Sequence, residues 1–186
     1  MNAGEAYFDH YERFMRAPIG ARKFAGDDGR QVQILAYDGV FPQAMVFASL
    51  GVSQWTDCIG HVTEVVCVVD DALETAPALL ANCLFYFAQR HSAMRRGTLV
   101  DSLGNLSPKF ALRFGKSALY LTSCQGFPSD FSKVKLGGDN DGSLVQAVFL
   151  SKPEAQFLRE NGVEAFETSL QGARVDPIAL SRPSLF

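Results

Sequence analysis

Nowhere in this chain do ~18 to 20 apolar residues run consecutively, the length a membrane helix requires. Met1 to Arg16 carries Glu5, Asp9 and Glu12 among aromatics where a signal peptide would place a basic stretch and then an apolar one, so a leader is not expected either. Basic residues are not in excess: 17 Lys and Arg stand against 20 Asp and Glu, for a net charge of -3. Duplex binding draws on clustered cations, and Arg90, Arg95 and Arg96 are too few to supply them, so a nucleic-acid partner is excluded. Four cysteines, Cys58, Cys67, Cys83 and Cys124, are too sparse for the disulfide framework of a small secreted domain. They read as reduced thiols in a cytoplasmic protein. Signature motifs are missing as well: no phosphate-binding Gly-rich loop ending in Lys-Ser/Thr, no Gly-x-Ser-x-Gly elbow, no dinucleotide fingerprint and no His-Glu-x-x-His.

What is present is an ordinary globular composition, 47% hydrophobic and 20% charged, in 186 residues, a length that one hydrophobic core can organise as one domain spanning 1–186. Phe occurs 15 times and Trp once. Phe has no polar atom to satisfy and mostly fills interiors.

The periodicity of Tyr7, Phe8, Tyr11, Phe14 and Met15 predicts a helix from Glu5 to Arg16, stopped by Pro18. Alternation over Gln31–Tyr37, the turn pair Asp38-Gly39 and the apolar run Gln43–Ser49 predict a β-hairpin. Thr63–Val69 is the most β-branched stretch and predicts a central strand, closed by Asp70-Asp71. A long helix is expected over Leu73–Met94, with Pro77 in its first turn. Gly97–Leu112 reads as a long irregular connection, a kind of segment that often carries function. Strands follow at Ser117–Cys124 and Ser143–Leu150, separated by the Gly- and Asp-rich tip 137–142. Ser151 and Glu154 form the capping box of a last helix ending near Leu170, and Pro177–Phe186 is extended. The element order implies an α+β protein: a mixed, mainly antiparallel β-sheet flanked by α-helices.

Candidate chemistry is thin. Asp57, Cys58 and His61, with Cys67 further on, form the tightest group of potential ligands, but a metal would need a second ligand pair, and none is expected. Tip 137–142 lacks the alternating acids and the bidentate Glu of a calcium loop. No cofactor is implied. Cys58 with His61 is the one pairing worth carrying as an alternative, a cysteine- or metal-dependent hydrolase.

Several segments, taken in order, resemble one family. Tyr11-Glu12-Arg13-Phe14 is similar to its opening helix, and Met45–Ser53 to a strand followed by a Ser-Gly-containing turn through Ser49, Gly51 and Ser53. Glu64-Val65-Val66-Cys67-Val68 resembles its Glu-initiated strand. Ala147–Glu154 with Phe157–Gly162 resembles its strand, acidic helix and Asn-Gly interruption, and Arg182-Pro183 its terminal Arg-Pro. The family is Suppressor of fused. The resemblance implies a sheet flanked by helices, non-enzymatic action, and a protein partner. For a bacterial single-domain member it implies an immunity role toward a toxin, or sequestration of another cytoplasmic protein. Ser49, Gly51, Ser53, Glu64, Gly162, Arg182 and Pro183 are then expected to fix backbone geometry. Trp55, Asp57, Arg95, Arg96 and Asp130, placed in loops or at helix ends, are the expected partner contacts, since Trp and Arg are favoured anchors. Arg182 is equally suited to pair with a buried carboxylate.

Overall fold

The computed structural model describes residues 2–70, 74–101, 103–137 and 141–186. Their strands form one sheet between two helical layers. β1 (Gly20–Ala25), β2 (Gln31–Phe41), β3 (Ala44–Leu50) and β4 (Thr63–Val69) follow one another as an antiparallel meander. The order then runs β4, β8 (Asp141–Leu150), β6 (Ala118–Thr122), β5 (Leu99–Val100), with β7 (Lys133–Lys135) beside the start of β8. Among the described residues the β4–β8 pair is the one parallel contact, from Thr63 opposite Ser143 to Cys67 opposite Ala147. The sheet is therefore mixed and mainly antiparallel.

Both faces of the sheet are covered, which explains why β4 is buried at every position. On one face Val32, Ile34, Phe47, Cys67, Ala147 and Leu121 pack against α3 (Ala76–Gln89) through Leu80, Leu84 and Phe87. On the other, Leu35, Tyr37, Val46, Val66 and Leu144 meet Tyr7, Tyr11 and Met15 of α1 (Ala3–Met15). Tyr120, Val148 and Leu150 meet Leu158 and Phe166 of α6 (Lys152–Gly172). Leu144 and Val148 share a parity on β8, so α1 and α6 lie side by side on the same face.

Several elements depart from the sequence reading. The strand β2 runs through Asp38 and Gly39 to Phe41, with a register irregularity between Tyr37 and Phe41. The chain reverses at Pro42 and Gln43 instead, because a bulge absorbs the Asp-Gly pair without ending the ladder. The expected irregular segment 97–112 is largely structured: it holds β5, α4 (Leu103–Leu106) and the start of α5 (Pro108–Phe114). Pro108 opens α5, Phe110 and Phe114 sit one turn apart on its inner side, and Gly115 ends it in a left-handed conformation. These helices are too short to produce a readable periodicity. The strands β1 and β7 are not evident from the sequence either, since most of their residues are exposed and only Phe24 and Val134 turn toward the core. The long helix is shorter than expected, Ala76–Gln89, and Leu73 lies outside the described residues, as do Asp71 and positions 138–140 of the Gly- and Asp-rich tip.

The helix α6 is anchored where it leaves the sheet. Ser151 caps it, accepting from the Glu154 amide, while Glu154 accepts from the Ser151 amide at 2.8 Å. The same carboxylate takes both terminal nitrogens of Arg182, whose Nη2 lies 3.1 Å from Oε2 and 3.4 Å from the Phe149 carbonyl. The Lys116 ammonium donates to the Arg182 carbonyl at 3.2 Å, and Ser184 meets Ser151 at 2.7 Å. A buried ion pair thus fastens the extended end of the chain to β8 and α6. Midway, Gly162 adopts φ 83° and ψ 173° and breaks the helical path of α6.

Burial alone would raise the Glu154 carboxyl, but the bonds from Arg182 and Ser151 outweigh it and hold the group below the usual glutamate range. The stability this contributes is present above the ordinary carboxylate pKa and is lost as pH falls through the lowered native value. Arg182→Ala, which strands the carboxylate, is expected to cost about 3–5 kcal/mol in urea unfolding at neutral pH. A loss under about 1 kcal/mol, the scale of an exposed pair, would show that the clamp is not structural.

Candidate functional site

Glu64 lies fully buried on β4. Its carboxylate lies under the turn that leaves β3, where Leu50 gives way to a short 3-10 segment, Val52–Gln54. Ser49 donates its hydroxyl to Oε2, and the amides of Gly51, Val52 and Ser53 donate at 2.8, 3.3 and 2.9 Å. The Ser49 hydroxyl in turn accepts from the Val65 amide at 2.8 Å, and the Ser49 carbonyl accepts from Tyr11 of α1 at 3.0 Å. Gly51 has φ 122°, and a Cβ there would lie 3.1 Å from the Gln31 carbonyl, so the turn needs glycine for both reasons. Ser49, Gly51, Ser53 and Glu64 are thus brought together. Their cage faces inward and presents nothing to a ligand.

The five expected partner contacts are distributed over three places. Trp55 is 4% exposed and stacks on Phe85 of α3 with ring centroids 5.5 Å apart. It is a core residue and not a surface anchor, because the 3-10 turn and α2 (Thr56–Ile59) press the indole onto α3. Asp57 is exposed beside it and accepts from Arg30 at 2.5 Å, while Asp28 takes the other nitrogen of the same guanidinium. This network lines an open depression of about 520 Å3 with Gln31 and Gln54. Arg96 reaches α6, bonding Glu167 at 2.7 Å and Glu164 at 3.3 Å. Glu167 also accepts from Tyr120 at 2.7 Å and Thr122 at 2.6 Å. Asp130 pairs with Arg13 of α1 at 3.2 Å, and Arg95 is exposed after α3. Arg30 and Glu167 were not singled out from the sequence; each is an isolated charge there, and only the fold supplies its partners.

Cys58 and His61 do not form a nucleophile and base. The buried Cys58 thiol donates to the Trp55 carbonyl at 3.1 Å, and burial pushes it above the usual thiol range. His61 has Nδ1 2.9 Å from the Ile59 carbonyl and Nε2 3.1 Å from the Met94 carbonyl, so both nitrogens face acceptors and not the sulfur. Among the described residues no group of three His, Cys, Asp or Glu converges as a metal site would require, and no helix is long and apolar enough to cross a membrane.

Comparison with known proteins places this architecture. The family model described as Suppressor of fused protein (SUFU) matches residues 28–183. The chain belongs to the Suppressor of fused family. No curated protein sequence matches it. In structure it is similar to a Suppressor of fused homologue from Neisseria gonorrhoeae, with a TM-score of 0.74 and 16% identity over 99% of this chain and 97% of that one. It is also similar to a chain of the Sufu–Fu complex, with a TM-score of 0.65 and 13% identity over 100% of this chain and 93% of that one. Against Drosophila Suppressor of Fused the TM-score is 0.58 at 12% identity, and this chain spans 50% of that chain's length. At such low identity these likenesses establish the Suppressor of fused fold.

Burial pushes the Glu64 carboxyl above the usual range, opposed by the donors from Ser49, Ser53 and Gly51. A group raised in the native state takes up a proton more readily than its unfolded counterpart, so its contribution to stability falls as pH rises from the ordinary glutamate pKa toward the native one. Glu64→Gln places an amide NH2 against backbone N–H groups and is expected to lower stability by about 2–3 kcal/mol. It also removes this segment of the pH dependence. Parallel pH–stability curves for the variant and the parent would show that Glu64 does not titrate in this window.

Proposed function

We propose that this chain is one Suppressor of fused-like domain that acts without catalysis by holding another protein in the cytoplasm, and that in a bacterial setting it serves as an immunity protein neutralising a toxin. The observation that carries the reading is the family membership together with the likeness to a chain found in a Sufu–Fu complex. It is supported by how the reactive side chains are used. The two groups that a cysteine hydrolase would need, Cys58 and His61, each spend their hydrogen-bonding capacity on backbone carbonyls. Cys67 and Cys83 are fully buried, and burial pushes the Cys67 thiol up to about 12. A thiolate nucleophile requires the opposite environment, electropositive and partly open.

The test is co-expression of the tagged chain with the products of its neighbouring genes. A single protein retained stoichiometrically in high salt, and rescue of growth when that protein is toxic, are the expected results. Failure to retain any of them, together with unimpaired toxicity, would remove the immunity role. In parallel, the native protein is expected to react with a disulfide reagent at neutral pH at least about tenfold more slowly than free cysteine, as suits a buried thiol. Fast labelling that Cys58→Ala abolishes would instead support the hydrolase.

A further inference from the structure

One end of the sheet is open. β1 pairs with β2 along its whole length, from Gly20 opposite Ala36 to Ala25 opposite Gln31, and among the described residues no strand lies on its other side. Where the hairpin closes, Gly26 donates to the Arg30 carbonyl at 2.8 Å, which makes these two a hydrogen-bonded pair. Such pairs recur at every second residue of an antiparallel ladder, so Gly20, Arg22 and Phe24 bond to β2 while the amides and carbonyls of Ala21, Lys23 and Ala25 point outward. Among the described residues none of these outward groups has a hydrogen-bond partner. Every residue of β1 except the half-buried Phe24 is exposed.

The side chains beside that edge carry charge of one sign. From Arg13 to Gly26 the sequence holds Arg13, Arg16, Arg22 and Lys23 and no carboxylate, in a chain whose net charge is -3. Arg13 is already paired with Asp130. Arg22 lies with Phe24 on the α3 side of the sheet, its guanidinium 5.4 Å from the Phe24 centroid and its Nη1 3.0 Å from the Glu74 carbonyl. Lys23 points to the opposite side, between the small side chains of Ala21 and Ala25. It is exposed and takes part in no ion pair among the described residues. The lining of a depression of about 200 Å3 next to it includes Gln31, Gln33 and Gln54 and no carboxylate.

An unpaired edge is a template for another strand. Lysine on an edge ordinarily repels other edges, and here it disfavours a second copy of this chain: the two antiparallel registers that would pair most of β1 with itself set Lys23 or Arg22 directly opposite its own copy. The same cations attract an acidic strand, since opposite charges across a strand pair stabilise it. We propose that the free edge of β1 is the docking strand for an extended acidic segment of the partner protein, which adds a strand to the sheet. Its main chain bonds to Ala21, Lys23 and Ala25, and a carboxylate stands opposite Lys23. This rests on the protein-binding reading above and gives the partner a surface and a chemistry.

Two arms test it. In the first, the full 15N-labelled chain is titrated with a synthetic peptide that alternates Val or Thr with Glu, and with its Lys-for-Glu counterpart. The acidic peptide is expected to shift the amides of residues 20–26 saturably and to slow hydrogen exchange at Ala21, Lys23 and Ala25 by about tenfold or more, as newly bonded amides show. Lys23→Glu is expected to weaken it about tenfold, and the basic peptide to leave those amides unmoved. Equal binding of both peptides, or shifts confined to other surfaces, overturns the docking edge. So does protection of these amides that rises with the concentration of the chain alone, the mark of self-pairing. In the second arm the partner retained by the parent chain is offered to Ala21→Pro, which removes an outward N–H and no bond to β2, and to Lys23→Glu, which alters only an exposed side chain. Loss of about tenfold or more in retention, the scale of a hot spot, is expected of each. Full retention by Lys23→Glu overturns the docking edge and leaves the protein-binding function standing, whereas a parent chain that retains no partner overturns both.

Discussion

A carboxylate taken out of water must be met by donors or give up its charge, and the fold is organised around how Glu64 meets that demand. Its donors come from Ser49 near the end of β3 and from the turn that follows, so β3, the 3-10 turn and β4 are held in one register by a single side chain. Tyr11 extends the arrangement to α1 through the Ser49 carbonyl. Trp55, immediately past the turn, is in consequence delivered to α3. One buried group thereby ties the centre of the sheet to both helical layers, where apolar contacts alone would leave the turn free to choose among several conformations.

The Glu154–Arg182 pair does comparable work at the other end of the sheet, with a different balance of terms. Glu64 is met by neutral dipoles, and burial dominates its titration. Glu154 is met by a guanidinium, and attraction dominates. The two carboxylates consequently respond to pH in opposite senses, one favouring the native state toward acid and the other toward neutrality. Neither faces the surface.

Much of this was legible in the residues. The β-branched run Thr63–Val69 and the Ser151–Glu154 capping box mark β4 and the start of α6 because each is a local device, written within a few consecutive positions. The family resemblance grouped Ser49, Gly51, Ser53 and Glu64, although which atoms meet is decided only by the β3–β4 register. Where the reading failed, the cause was non-local. Asp38-Gly39 has turn chemistry, but pairing across to β3 outweighs it and turns it into a bulge. Trp55 looked like a loop aromatic because nothing near it in sequence announces Phe85. The helices of 103–114 escaped notice because four and seven residues give periodicity too little length, and Leu112 reads as one more apolar residue until α5 assigns it an outward direction.

The parallel pairing of β4 with β8 bears on how the protein is made. Thr63 and Ser143 meet at a sequence separation of 80, whereas each neighbour in the β1–β4 meander is joined by a far shorter connection. During translation the meander can close within microseconds of emerging, while its partner strand arrives on the order of 4 to 16 s later at roughly 5–20 residues per second. Throughout that interval the β8-facing edge of β4, from Thr63 to Cys67, presents unpaired backbone, a template for pairing with any other nascent chain. Protection of that edge during synthesis is therefore a requirement separate from the stability of the finished fold.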